Sequence, residues 1–278
     1  MSLFDLFRYD GKRVVVVGAA TGMGNAAARL LVDAGAEVVA MDFAPMDIEG
    51  IAGSIKVNLA DKASIDAAVD ECGGRVDALF SCAGVADGTP GIEKINFLGH
   101  RHMINRMLDA GMLGRGSAIG FISSAAGAAW ARDDNQEILG EYLAIEDMDE
   151  ASQWAIDNGK ADYFQSKLAV CLYVARMAYP LLAKGIRINA IMPGPTDTPL
   201  AQANKEMWLG FGSDYRADTG VEASTPEDQA YPLVFLCSDA AKAITGITVT
   251  SDQGYFSSGI TNSYPAAKGT ADFLTGRY

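Results

Sequence analysis

The sequence predicts an α/β protein, a single doubly wound parallel sheet with helices on both faces. Three observations carry that prediction. Seven short strand-like segments, at residues 14–17, 37–41, 54–57, 78–81, 118–122, 187–191 and 247–250, recur with helix-patterned stretches between them, and strands that alternate with helices build parallel sheets. The first segment, Val14 to Val17, is a continuous apolar run, as expected of a strand buried on both faces. A glycine-rich turn, Gly18-Ala19-Ala20-Thr21-Gly22-Met23-Gly24, leads from that run straight into an apolar-periodic helix over 23–34.

Composition bounds the rest. The 278 residues are 49% hydrophobic, and no low-complexity linker divides them, so one domain is expected over 1–278. A formal net charge of -13 opposes a nucleic-acid partner and binding to anionic membranes. No apolar run approaches the length that spans a bilayer. Residues 1–13 carry Asp5, Arg8 and Asp10 and no signal-peptide apolar region. Cys72, Cys82, Cys171 and Cys237 are isolated, which fits reduced thiols in a cytoplasmic protein better than a disulfide or zinc framework.

Taken in order, the elements bring chemistry to the strand ends. Glycines in the first turn let the backbone bend sharply and approach a ligand closely. The helix start behind them offers free N–H groups to a pyrophosphate. Gly18, Thr21, Gly22, Met23 and Gly24 thus form a Rossmann-type dinucleotide fingerprint. Asp42 ends the second strand about 20 residues on, where an acid accepts hydrogen bonds from the adenosine ribose and repels a 2′-phosphate. Ala19, Ala20, Thr21 and Phe43 bring no cation to welcome that phosphate, so NAD is expected over NADP. The third strand ends at Asn58-Leu59, ahead of a helix over 62–71. The fourth runs into Cys82-Ala83-Gly84, small residues against which the adenosine side of a cofactor can lie. A long helix over 92–113 carries Asn96, His100 and His102. The fifth strand delivers Ser123 and Ser124 at its carboxyl end, the end at which open α/β sheets bind ligands. The sixth leads into Pro193-Gly194-Pro195-Thr196-Asp197-Thr198. Thr225-Pro226-Glu227 starts a helix that runs to about Cys237, and the last strand closes at Asp252-Gln253-Gly254.

Tyr163-Phe164-Gln165-Ser166-Lys167 is the stretch with a proton-transfer signature. Helical residues i and i+4 share a face, so a phenol and an ammonium stand side by side. The lysine charge is expected to favour the phenolate and lower the tyrosine pKa. Such a phenol exchanges a proton with an alcohol or carbonyl, whose oxygen a serine hydroxyl holds. The same spacing recurs at Tyr264 and Lys268, but with Pro265 directly after the tyrosine, and that copy reads as coincidence. His100 and His102, two apart on a helix, point to different faces and predict no metal site.

These motifs, in this order from about Lys12 to Gly254, resemble the short-chain dehydrogenase/reductase family. Gly18, Gly22 and Gly24 match its cofactor glycines, and Ala83-Gly84 the end of its Asn-Asn-Ala-Gly segment. The resemblance implies that Ser124, Tyr163 and Lys167 are catalytic, that Lys167 also binds the nicotinamide ribose, and that Asn96 helps hold a proton-relay water. It implies that Pro193, Gly194, Thr196 and Thr198 cover the nicotinamide, and that Trp208, Leu209 and Phe211 lie in a lid over the substrate or in ordinary core. Val17, Ser81, Cys82 and Gln253 depart from the family pattern, the last standing in place of a glycine.

An insertion at about 125–162 separates Ser124 from Tyr163, with an acidic run at 146–150 and the aromatics Trp130, Tyr142 and Trp154. A similar insertion marks a subgroup that includes bacterial 3α-hydroxysteroid dehydrogenase/carbonyl reductase and coniferyl-alcohol dehydrogenase. It is expected as a substrate wall, a solvated helical hairpin or a subunit contact. A C-terminal extension at about 255–278, with Phe256, Phe273 and Tyr278, is expected to meet a neighbouring subunit or to be partly disordered. The implied function is an NAD-dependent oxidoreductase acting on an apolar alcohol or ketone (a hydroxysteroid, cyclic or aryl alcohol) in a cytoplasmic homodimer or homotetramer. An epimerase or dehydratase with the same machinery, and a non-catalytic NAD(H)-sensing binding protein, are the rival expectations.

Overall fold

In the computed structural model, which describes residues 2–276, all seven strands form. They are β1 (Arg13–Val17), β2 (Glu37–Asp42), β3 (Gly53–Lys56), β4 (Ala78–Ser81), β5 (Ala118–Ile122), β6 (Arg187–Pro193) and β7 (Thr248–Ser251). They pair in parallel in the order β3-β2-β1-β4-β5-β6-β7. The chain winds outward one way from β1 and the other way from β4, so the strand order reverses between them. That reversal opens a crevice at the carboxyl ends of β1 and β4.

Alternation along each strand divides the core. Val14 and Val16 face one side with Val38, Ala40 and Phe80, beneath α1 (Gly22–Asp33). Val15 and Val17 face the other with Leu79, Ile119 and Phe121, beneath α2 (Lys62–Cys72) and α3 (Gly99–Asp109). The expected unbroken helix over 92–113 is corrected twice. A π-helical turn, Lys94–Leu98, interrupts it at Asn96, and α3 stops at Asp109 before an Ala110-Gly111 turn. A π turn adds a residue within a helix and is common where a side chain must be re-aimed. Here Asn96 is pulled onto the backbone of Val85, with which it makes two hydrogen bonds.

Residues 125–162 fold as a 3-10 turn (Ala125–Ala131), α4 (Asp133–Ala144) and α5 (Met148–Asp157). This segment is a helical hairpin with one face in solvent and the other in the core, and Ala125 and Ala126 are its residues in the cleft lining. Leu139, Tyr142, Met148, Ala151 and Ala155 join the main core, and Tyr142 stacks on Trp154 with ring centroids 5.4 Å apart. Arg101 of α3 donates to the carbonyls of Leu143 and Ile145 (3.4 and 2.8 Å), satisfying the open carbonyl end of α4. Ser152 donates to the buried Glu93 at 2.6 Å, and the acidic run is tied down by Lys62–Asp147 and Lys94–Asp149 ion pairs.

α6 (Tyr163–Ala183) follows and packs its Ser166 to Val174 stretch against the sheet. It corrects the reading of apolar runs. Within this helix of 21 residues an 18-residue window has a mean hydropathy of 1.2, which makes the helix long and apolar enough to cross a membrane, although Lys167 and Arg176 interrupt the run. Its burial among core side chains accounts for the composition. After β6 come three short helices, α7 (Pro199–Ala203), α8 (Lys205–Trp208) and α9 (Ser213–Thr219), then α10 (Pro226–Cys237) under a Thr225/Asp228 capping box.

The C-terminal segment does not leave the fold. α11 (Tyr255–Ile260) and α12 (Lys268–Thr275) turn back on their own chain, joined through a 3-10 turn at Pro265–Ala267. Phe273 meets Phe164 edge-on at 6.2 Å, and Arg132 donates to the carbonyl of Gly276. Tyr264 precedes that turn in extended conformation while Lys268 opens α12, so the second Tyr/Lys copy does not share a helix face. Tyr278 lies outside the described residues.

Candidate active site

One cleft runs along the carboxyl ends of the strands and contains all but one of the expected site residues. Its first part, a cavity of ≈ 580 Å³, is lined by Gly18, Thr21, Gly22, Met23, Gly24, Asp42, Asn58, Leu59, Ala83, Gly84 and Thr198. The second part, ≈ 240 Å³, is lined by Ser124, Tyr163, Lys167, Pro193, Gly194, Thr196 and, again, Met23, Gly84 and Thr198. The shared residues make the two parts continuous.

The sequence builds the first part by removing side chains. Gly18 has φ +88°, and a Cβ there would lie 2.4 Å from the backbone nitrogen of Ala83. A Cβ on Gly24 would lie 2.0 Å from the carbonyl oxygen of Gly18. Both glycines therefore let strand, turn and helix close up at the switch point. α1 has no side-chain cap at Thr21 and no acid in its first turn, whereas α2, α5, α6, α7 and α10 are all capped by their own side chains. Its N–H groups and positive dipole end are left for an anion in the cleft. At the far end, Asp42 accepts from the N–H groups of Ala20 and Ala44, both at 2.9 Å, which fixes its carboxylate beside the glycine turn. A cation is closer than the sequence reading allows. Lys56 pairs with Asp42 across β2 and β3, and its ammonium lies 5.1 Å from the centroid of the Phe43 ring. Residues far apart in sequence become neighbours across parallel strands, so local inspection around Asp42 does not find Lys56.

The second part brings the expected triad together. Ser124 leaves β5 in extended conformation and caps the following 3-10 turn by accepting from Ala126 at 3.2 Å. Its neighbour Ser123 turns the other way, donating to the carbonyl of Lys167 at 3.0 Å. Tyr163 and Lys167 sit one turn apart on α6, with the ammonium 5.4 Å from the phenol ring centroid. The lysine is buried and donates to the carbonyl of Ile122 at 3.2 Å. Its effect on the phenol differs from the sequence expectation. Burial pushes the Tyr163 phenol up to about 12, the Asp87 charge pushes the same way, and only the hydrogen bond with Ser124 opposes them. Burial likewise pushes Lys167 down to about 8. Desolvation is the leading cause of both shifts, and the phenol holds its proton at neutral pH.

Asn96 is the residue that does not line the cleft. Its carbonyl accepts from Val85 N–H at 2.7 Å, and its amide donates to the Val85 carbonyl at 3.1 Å and to Ser166 at 3.2 Å. The side chain thereby ties the Gly84-Val85 loop to α6, one residue ahead of Lys167. Thr196 donates to the carbonyl of Gly194 at 3.0 Å, and Thr198 accepts from Ala201 at 3.1 Å.

Apolar side chains close the mouth. Trp208 tilts over Tyr163 with ring centroids 5.0 Å apart, and Met207, Phe211, Phe164 and Leu274 complete the wall. Phe211 packs on Tyr255 at 5.0 Å, which joins the segment after β6 to the C-terminal helices. Leu274 and Asp87 are among the lining residues that sequence reasoning missed. Neither sits in a motif, and only tertiary folding brings them to Tyr163. Among the described residues no three His, Cys, Asp or Glu side chains converge on a metal-sized site. His100 contacts the Ala83 carbonyl and His102 contacts Asp66.

Comparisons with known proteins match the chain along most of its length. A family model described as enoyl-(acyl carrier protein) reductase matches residues 18–256. The chain is 30% identical over 251 residues to 3-alpha-hydroxysteroid dehydrogenase/carbonyl reductase of Comamonas testosteroni, covering 87% of this chain and 95% of that protein. It is also 30% identical over 258 residues to cis-4-hydroxycyclohexanecarboxylate dehydrogenase of Sinomonas cyclohexanicum, again covering 87% and 95%. Among solved structures, the 3-alpha-hydroxysteroid dehydrogenase of Pseudomonas sp. B-0831 complexed with NADH superposes with a TM-score of 0.72 at 25% identity, over 91% of this chain and 99% of that one.

Proposed function

This chain belongs to the short-chain dehydrogenase/reductase family, and on that premise we propose that it is an NAD-dependent oxidoreductase interconverting an apolar alcohol (hydroxysteroid, cyclic or aryl) and its carbonyl. The observation that carries the reading is the meeting of Ser124, Tyr163 and Lys167 at the inner end of a cleft whose outer end is the uncapped α1 and Asp42. The residues present fit a dinucleotide. α1 and the glycine turn would hold its pyrophosphate, Asp42 its adenosine ribose, Lys167 its second ribose, and Pro193, Gly194, Thr196 and Thr198 its nicotinamide. A bound nicotinamide supplies the hydride in reduction and accepts it in oxidation.

The chain's own residues handle the proton and the oxygen. Ser124 holds the substrate oxygen by hydrogen bonding. In carbonyl reduction Tyr163 gives its phenolic proton to that oxygen, and in oxidation its phenolate takes the hydroxyl proton. Because Tyr163 keeps its proton at neutral pH, reduction starts from the ready form and oxidation gains as pH rises. Lys167 and Ser124 hold the phenol in register, and Trp208 packs over its ring. Asp42 supports NAD over NADP, with Lys56 as an opposing charge. A homodimer or homotetramer and, from the four free thiols, a cytoplasmic location are part of the same reading.

The test is net cofactor turnover with hydroxysteroids, cyclic alcohols and aryl alcohols, followed through reduced-nicotinamide absorbance. Turnover with NAD ahead of NADP is expected, and Asp42→Ala should move the NADP:NAD ratio of kcat/KM up by about tenfold. A wild-type preference for NADP removes Asp42 from its role. Substrate conversion without net cofactor turnover indicates an epimerase or dehydratase, and NADH binding without conversion of any alcohol or ketone indicates a sensor.

A further inference from the structure

We infer that Asp87 selects the charge of the substrate: the alcohol taken by this cleft carries a second hydrogen-bond donor, a hydroxyl or a protonated amine, and anionic alcohols are disfavoured. The inference rests on the dehydrogenase reading and adds to it a chemical class. Asp87 and Lys167 are the charged side chains lining the substrate end of the cleft among the described residues. Lys167 is buried, bonded to the Ile122 carbonyl and set behind the phenol, so it is not free to pair with a substrate anion. Asp87 stands at the rim in the loop after Gly84. One of its oxygens accepts the Tyr163 N–H at 2.7 Å, and the other makes no hydrogen bond to a described residue.

The remaining surroundings do not offset that charge. Met207, Trp208, Phe211, Phe164 and Leu274 are apolar. Thr196 spends its hydroxyl proton on the Gly194 carbonyl. A substrate carboxylate at this end of the cleft would find no free cation and face the like charge of Asp87. A donor on the substrate would instead form a charge-assisted hydrogen bond with the open carboxylate oxygen. The Asp87 charge reaches the reacting position, since it pushes the Tyr163 phenol upward. Asp87 binds the backbone nitrogen of the residue whose phenol does the chemistry, and both residues line the same part of the cleft. One relative is named for cis-4-hydroxycyclohexanecarboxylate, an anionic alcohol, which makes the contrast measurable.

The experiment compares kcat/KM with NAD for matched 4-amino-, 4-hydroxy- and 4-carboxy-cyclohexanols, using wild type and Asp87→Asn. The amide keeps an oxygen to accept the Tyr163 N–H, and a ratio between substrates cancels any loss of folded enzyme. Wild type should prefer the amino and hydroxy alcohols to the carboxylate. Asp87→Asn should narrow the amino:carboxylate ratio by about two- to fivefold, the range for a partly exposed charge. Preference for the carboxylate, or a ratio unmoved by the substitution, overturns the assignment of Asp87 while leaving the dehydrogenase reading intact. Absence of turnover with all three alcohols and with the wider alcohol panel overturns that reading, and the assignment with it.

Discussion

At the scale of single residues, the candidate site is a contest between burial and charge, and burial prevails. Lys167 is lowered to about 8 from an ordinary 10.5. The unfolded chain therefore binds more protons than the folded one between those values, and stability rises with pH across that window. Tyr163, pushed up, keeps its proton in the folded state there, and in the unfolded chain it starts to lose it only towards the top of that window. Lys167→Met removes the effect, so in urea unfolding the variant should exceed wild type in stability at about pH 7.5, and the gap should shrink by about 1–2 kcal/mol at about pH 9.5. A constant gap would mean that Lys167 is not held against its charge. Ser124, Tyr163 and Lys167 were legible because their signature is local, a strand end and an i, i+4 pair. The direction of the tyrosine shift was not, because desolvation depends on what packs around the cleft. Lys56, Asp87 and Leu274 reach the site only through sheet pairing and chain reversal.

At the scale of elements, every strand and the helices beside it followed from apolar patterning, while the irregular pieces followed from tertiary demands. The π turn at Asn96 has no periodic signal and coincides with the binding of that side chain to Val85. The acidic run and aromatics of 125–162 left wall, hairpin and subunit contact open. The Ser152–Glu93 bond ties the segment to the start of the π turn, and Arg176 of α6 donates to its Gln136 carbonyl. Gln253 shows a local rule broken in plain sight. It stands where a glycine was expected and adopts φ +58°, the left-handed region that costs a side-chain-bearing residue about 1 kcal/mol. Gln253→Gly should accordingly raise the midpoint of thermal unfolding slightly, with a net gain of at most about 0.5 kcal/mol after the added freedom of the unfolded chain is set against it. A fall in the midpoint would mean that the Gln253 side chain holds the β7–α11 turn by contacts that outweigh its strain.

At the scale of the whole molecule, the strand order concentrates function at one edge. Reversal between β1 and β4 opens the crevice, the glycine turn and Asp42 furnish one end, and β5, α6 and the segment after β6 furnish the other. Alternating strands and helices made this sheet legible. How the C-terminal helices close back over the mouth was not, since an amphipathic pattern names a buried face without naming what covers it. The central claim is that the Tyr163 phenol carries the proton. It is tested most directly by Tyr163→Phe, measured for carbonyl reduction and, separately, for NADH binding by fluorescence. Loss of about a thousandfold in turnover, with NADH binding within about twofold of wild type, is the predicted result. Turnover retained within about tenfold of wild type would contradict it and require another proton donor in the cleft.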